Sequence, residues 1–375
     1  MRQLPKTSPE PDNQAKLRLL ADSLLDLSYQ TWGFGDSVAF EALVTASDIL
    51  RDPTYAAFAH GWMRAWASSG PLPGELDCTA PGRTMVHLAL RTGDSQLITA
   101  AVTLADYLLS RPTINGVYQT WARAPLTMPY GPAKLDPRQA AWLAAPPGGA
   151  FLDCLHFDPP FLTALGRATG SQHYLRAGVD QALALVAALQ QADGSFDHFV
   201  LKAVPGSFGP AWGRGQGWAL LGLLDTITSV DQWLASSGQP DPPLAAQRAA
   251  LANACERLVG VMVATQRPDG HWYAVIDGRT ASDETSTAAF MGAGLPRALA
   301  LGLIPNNRLA DVAKAARAAQ DATAQAVTPD GCLAGVSAAV MACTEPSHYA
   351  HVPTGFRVPW GQGPALLALA AREAS

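Results

Sequence analysis

Charge is scarce in this chain. Asp, Glu, Lys and Arg make up 15% of its 375 residues, against 48% apolar residues. So little charge with so much apolar content argues against a disordered polymer and supplies a large core. The formal net charge is −5, and no block of Lys or Arg occurs. The expected partners therefore include no nucleic acid and no anionic membrane surface. Cysteine is sparse too. Cys78, Cys154, Cys255, Cys332 and Cys343 are scattered, odd in number and without CxxC spacing. That pattern matches neither a zinc site nor a disulfide framework and reads as free thiols in a reducing compartment. No apolar run reaches the roughly 18 residues that a membrane span needs. The opening MRQLPKTSPEPDNQ lacks the apolar centre of a signal peptide. The expectation is a cytoplasmic protein, monomeric or homodimeric.

Common catalytic signatures are missing as well. HExxH, GxSxG, a Walker loop and a GxGxxG that follows a strand do not occur. Alternating strand patterns are nearly absent.

Helical periodicity is what remains. Leu17, Leu20, Leu24 and Leu27 keep the rhythm of one helix face. Asp36 and Ser37 suit the start of the next helix, which Pro53 stops. About twelve such stretches centre near residues 22, 43, 61, 86, 103, 164, 180, 222, 255, 293, 317 and 366. QQADGSF, TQRPDGHW and TPDGCL share an Asp-Gly after a long helix. Asp-Gly favours tight turns, so the unit is a recurring helix–turn–helix hairpin. Six pairs close into an all-α toroid, an (α/α)6 barrel, spanning 1–375 with no dividing linker. A Pro/Gly/Ala-rich excursion at 111–149 reads as a long ordered loop over one end of the helices.

Four segments hold polar groups that chemistry can use. The apolar stretch FLDCLHFDPPFL contains Asp153, His156 and Asp158. Asp158 precedes two prolines and reads as the N-cap of the helix carrying Phe161, Leu162 and Leu165. Asp153 precedes any expected helix start and has no capping role. It is either a perturbed catalytic carboxylate or a core Asp satisfied by backbone amides. In AWGRGQGW, Arg214 lies between Trp212 and Trp218, with three glycines interspersed. An Arg between indoles suits a planar anion with an apolar ring face; the alternative is a packed helix start. Asp77 sits in a loop before the helix beginning near Gly82, and DETSTAAF reads as a capped helix entry. His198 follows the first Asp-Gly turn and His271 lies in the second. Carboxylates, Arg, His and Trp around a helical cup suit carbohydrate chemistry.

In combination these segments resemble glycoside hydrolase families 88 and 105. The resemblance rests on Asp153, Leu155 and Pro160-Phe161-Leu162; on Trp212-Gly213-Arg214, Gly217 and Trp218; and on Leu76-Asp77 with Pro81-Gly82-Arg83. It is completed by Glu284-Thr285-Ser286 and the terminal Gly361–Ala368 stretch, and it keeps its order along about three quarters of the chain. The resemblance implies the (α/α)6 barrel and an unsaturated uronyl hydrolase. Such an enzyme removes a 4,5-unsaturated uronic acid from lyase-generated oligosaccharides by hydrating the C4=C5 vinyl ether, without metal or organic cofactor. It implies Asp153 as the acid, with Asp77 as the second carboxylate keeping it protonated. Burial among Phe151, Leu152 and Leu155 favours the same protonated form. Arg214 would bind the uronate carboxylate, Trp212 and Trp218 would wall the ring, and His198 would make a lesser polar contact. Departures from the family pattern are His156-Phe157, Asp158, Phe151 in place of a Trp, and the 111–149 excursion. They bear on the substrate rather than the reaction type, with His156 counted among the substrate-facing groups. Two other readings stand beside this one: a non-catalytic sugar-binding or scaffold toroid, and a terpene-cyclase-like toroid, which TQRPDGHW resembles but for which no DDxxD motif occurs.

Overall fold

A computed structural model describes residues 12–29, 33–69, 81–132, 134–278 and 282–373. In chain order its helices are α1 (Asn13–Leu25), α2 (Asp36–Ile49), α3 (Pro53–Ser69), α4 (Gly82–Thr92), α5 (Ser95–Leu109), α6 (Pro137–Ala144) and α7 (Cys154–Thr169). They continue with α8 (Gln172–Leu189), α9 (Gly213–Ser237), α10 (Pro242–Thr265), α11 (Ser286–Ala300), α12 (Leu309–Ala326), α13 (Pro346–Ala350) and α14 (Pro359–Glu373).

Local chemistry sets the boundaries. Asp12, Asp94 and Asp241 cap α1, α5 and α10 by accepting from Ala15, Gln96 and Leu244 amides. Helix α7 stops where Gly170 adopts φ +69°.

The packing is a double ring. Helices α2, α4, α7, α9, α11 and α14 pack in that order, and α14 returns against α2. Helices α1, α3, α5, α8, α10 and α12 lie outside them. This is the (α/α)6 barrel, and every one of the twelve expected helix centres falls inside one of these helices. The short α6 and α13 were not foreseen. They belong to the connections at one end of the barrel.

The repeated Asp-Gly turns hold the outer ring together. Gly194, Gly270 and Gly331 take φ of +101°, +84° and +75°. Each lies against the backbone of another outer helix: at Arg257 of α10, Ala318 of α12 and Leu19 of α1. Gln190 and Gln266 repeat a bridge, each binding the carbonyl of its own turn Gly and one on the next outer helix, Ala254 and Ala315. The interior is mainly apolar, with Trp218, Trp272, Phe161 and Phe290 among its fully buried side chains. Removing such side chains from water contributes about 1.5–3 kcal/mol each.

One expectation fails locally. Asp158 is not an N-cap; α7 already begins at Cys154, and Asp158 is buried inside it. Pro159 and Pro160 therefore sit within the helix. Pro159 cannot donate to the Leu155 carbonyl. That carbonyl instead meets α9, where a Cβ on Gly222 would lie 2.0 Å from it. Helix α9 thus packs closely on the interrupted turn.

Candidate active site

A three-stranded antiparallel sheet of Gly149–Phe151, Asp197–Leu201 and Phe208–Pro210 lies at the N-terminal ends of α7 and α9. Phe151 pairs with Phe199, and the Leu152 amide donates to the His198 carbonyl at 2.8 Å. This register brings Asp153 and His198 together although they are distant in sequence. His198 Nε2 stands 3.5 Å from Asp153 Oδ2. Asp153 occupies the N-cap position of α7 but makes no capping hydrogen bond with its side chain. Its carboxyl is 14% exposed.

Both groups line a cavity of about 280 Å³. Phe34, Trp121, Phe151, Phe157 and Trp212 form aromatic walls, and Ala339 through Ala342 close one side. The Trp212 ring lies 4.6 Å from that of His198. The residue before it, Ala211, holds φ +56°, a conformation a Cβ-bearing residue adopts at a cost. The Val275 pairing of Trp212 and the Gly213 N–H to Ala274 O bond fix the turn that aims this indole.

Arg214 sits one layer behind. Its guanidinium lies 5.1 Å from the Trp212 ring and 5.8 Å from that of Trp360. Nη1 donates to Ser337 Oγ at 2.7 Å and faces Glu284 Oε1 at 3.3 Å; Nη2 donates to Ala338 O at 2.8 Å. Nε has no hydrogen-bond partner among the described residues. Burial pulls this arginine below its ordinary range, opposed by the charges of Glu284 and Asp153. These bonds hold the guanidinium behind Trp212, and Arg214 is not among the residues that line the cavity.

From sequence, the capping of the α11 entry falls to Ser/Thr or Asp, but Thr285 at the N-cap makes no side-chain capping bond and Glu284 caps instead. It accepts from the Ser286 hydroxyl at 2.7 Å and the Thr287 amide at 3.3 Å. That it also anchors Arg214 was not legible in the sequence. Phe34, Trp121, Trp360 and Tyr349 were missed as well. They come from segments with no motif, and only ring closure brings them to the site. Trp218 and His156 do not reach the cavity. Trp218 is fully buried against Phe157 and Phe290, and His156 packs on its other side. Asp77 lies outside the described residues.

His156 belongs to a different cluster. It shares a space with Glu41 and Asp225, whose ligand-type atoms all lie within 4.8 Å of one another. Arg83 binds both carboxylates, at 3.0 and 3.1 Å, and Arg297 also binds Asp225. Burial pushes Asp225 up, but Arg297 and Arg83 outweigh it and hold the carboxyl below its ordinary value. With two guanidinium groups already neutralising two carboxylates, the donor set suits an ion-pair network better than a divalent cation. No disulfide joins the four described cysteines, Cys154, Cys255, Cys332 and Cys343.

An (α/α)6 barrel with a carboxylate at the N-terminal ends of its inner helices, walled by aromatic rings, defines the class of toroid hydrolases that act on carbohydrate. The chain belongs to Glycosyl Hydrolase Family 88, whose family model matches residues 21–375, and it is a glycoside hydrolase. Among curated proteins it is 24% identical over 363 residues to unsaturated rhamnogalacturonyl hydrolase YesR of Bacillus subtilis, covering 96% of this chain and 95% of that protein. The fold is similar to that of a possible GH105 member from Salmonella enterica, with TM-score 0.79, 18% identity, and coverage of 100% of this chain and 97% of the other. It is also similar to unsaturated glucuronyl hydrolase from Bacillus sp. GL1, with TM-score 0.68, 18% identity and 94% of each chain covered.

Proposed function

We propose that the protein removes a 4,5-unsaturated uronic acid from the non-reducing end of lyase-generated oligosaccharides by hydrating the C4=C5 vinyl ether. The observation that carries this reading is Asp153: a carboxyl beside His198, at the edge of an aromatic-walled cavity, with no hydrogen bond spent on its helix. The named activity of the Bacillus subtilis relative supports it.

In this reading the C4=C5 electron pair takes a proton from Asp153. The positive charge that develops at C5 is shared with the ring oxygen. Water adds at C5 and returns its proton to the Asp153 carboxylate, so the residue serves first as acid and then as base. The resulting hemiketal opens, and the remaining sugar leaves as an alcohol. The aromatic walls limit water around the carboxyl and offer ring faces for stacking. Arg214, held behind Trp212, contributes positive charge on the side where we expect the uronate carboxylate. Asp77 retains its proposed part as the second carboxylate.

The lining also bears on the leaving sugar. Pro125, Val340, Met341 and Ala342 are apolar groups on the cavity wall. They suit an aglycone with a methyl group, so a 6-deoxy sugar such as rhamnose is the proposed neighbour of the uronate.

The test is a panel of unsaturated disaccharides followed by the ultraviolet absorbance of the conjugated double bond. We expect loss of the signal, fastest with a rhamnose aglycone, and turnover reduced by about 100-fold or more in Asp153→Asn. Absence of turnover across the panel, or full activity in the variant, overturns the assignment.

A further inference from the structure

We propose that Tyr349 is a positioning residue for the reaction: its hydroxyl fixes the proton of His198 on Nδ1, so that Nε2 is the ring atom that shares a proton with Asp153. This rests on the role of Asp153 proposed above.

The argument follows the protons. The Tyr349 hydroxyl lies 3.1 Å from the Cys343 carbonyl oxygen and 2.9 Å from His198 Nδ1. A phenol has one proton, and a carbonyl only accepts. Both contacts are hydrogen bonds only when the phenol proton goes to Cys343 O and Nδ1 brings its own N–H to the phenol oxygen. Burial raises the Tyr349 phenol well above its ordinary range, which keeps it a donor. Nε2 is left facing Asp153 Oδ2 at 3.5 Å. Such contacts are often long without substrate and tighten when it binds.

The arrangement is built into the backbone. His198 is 3% exposed and Tyr349 2%. Gly209, at φ +72°, lies against both: a Cβ there would come within 2.2 Å of the Tyr349 hydroxyl and 2.8 Å of His198 Cβ. The glycine thus admits the phenol to the one place where it meets Nδ1.

The tautomer decides how the pair keeps its proton. With Nδ1–H fixed, losing the shared proton leaves a carboxylate opposite the Nε2 lone pair, which is unfavourable. Without the phenol, the neutral ring can carry its N–H on Nε2 instead and donate to the carboxylate, which favours the deprotonated pair. The other charged or titratable groups acting here are Arg214 on Asp153, His348 on His198, and Cys343 and Asp197 on Tyr349.

Tyr349→Phe keeps the ring and removes the hydroxyl. The expected result is a kcat lower by about 10-fold with KM within about twofold, and a basic limb of the kcat–pH profile moved to lower pH. A merely structural role would not move that limb in a variant whose melting curve shows it folded. Nitrogen-15 spectra of the wild-type histidines, with His198 assigned by its loss in His198→Gln, should show Nδ1 protonated at high pH. An Nε2–H tautomer in the wild type, or an unchanged pH profile in folded Tyr349→Phe, overturns the proposal. The tautomer is read without substrate. A wild type inactive on every disaccharide would therefore sink the hydration reading while the spectra still decide how Tyr349 and His198 are arranged.

Discussion

Arg214 Nη1 lies 3.3 Å from Glu284 Oε1, and both side chains are shut away from solvent. Glu284 also receives the Ser337 amide at 3.2 Å, so one carboxylate ties α9, α11 and the 337 segment into a single junction beside the cavity. Removing one member of a buried pair leaves the other charge uncompensated. Glu284→Gln keeps the shape and loses the charge. Urea unfolding at neutral pH should show a loss of about 3–5 kcal/mol. A change within about 0.5 kcal/mol would mean that Ser337 and Ala338 alone satisfy the guanidinium.

The inner ring is tested at Gly222. A methyl group there would meet the Leu155 carbonyl oxygen at 2.0 Å and its carbon at 2.4 Å, both backbone atoms of α7. Backbone cannot swing aside as a long side chain can, and overpacking costs typically 1–3 kcal/mol or more. Gly222→Ala should lower the melting temperature by several degrees and reduce activity with it, since Asp153 precedes the same helix. An unchanged melting curve would show that α7 and α9 are less closely packed than described.

The helices were legible because each buries one apolar stripe, a local property with a 3.6-residue period. The Asp-Gly turns were legible because their chemistry lies in two adjacent residues. Within the site, Asp153, Trp212 and Arg214 stood out for being unusual neighbours in sequence. Their partners could not be read in the same way. His198 and Tyr349 are 151 residues apart, and Arg214 and Ser337 are 123 apart. No local pattern records such a pairing; ring closure creates it. Asp158 shows the reverse error. Its local signal for a helix start is strong, yet tertiary packing at Gly222 overrides it. Trp218 was assigned to the substrate from the family motif and His156 as a departure that crowds the site, but the two rings pack on each other in the buried interior.

Asp36 begins α2 and is buried, receiving the Gly33 amide at 3.2 Å. Burial pushes its carboxyl up to about 7, with the amide opposing. The folded form therefore favours the protonated acid. Its contribution to stability is complete below the unfolded value of 3.8 and is lost as pH rises toward about 7. Asp36→Asn keeps an oxygen for Gly33 and removes the ionisation. The variant should match the wild type in urea midpoint at pH 4 and exceed it at pH 8, by at most about 4 kcal/mol. A variant less stable than wild type at pH 8 would contradict a neutral Asp36.

His348 has the opposite sign. Nδ1 accepts the Tyr130 amide at 3.1 Å, so the ring proton sits on Nε2, which donates to Met341 O at 3.1 Å. A neutral ring satisfies both bonds, whereas a second proton would break the one to Tyr130. Burial lowers this histidine to about 4, with His198 and His351 adding repulsion against the carbonyl's pull. Stability from this group is therefore complete above the unfolded value of 6.5 and is lost as pH falls toward 4. The bonds join the 130 region to the 341 segment that walls the cavity, so acid should loosen that wall before the barrel unfolds. His348→Gln cannot take up a proton. Its stability deficit relative to wild type should shrink by up to about 3 kcal/mol between pH 7.5 and 4.5, read from paired urea midpoints. A deficit that stays constant across that range would show His348 to be charged, or free to become so, in the folded protein.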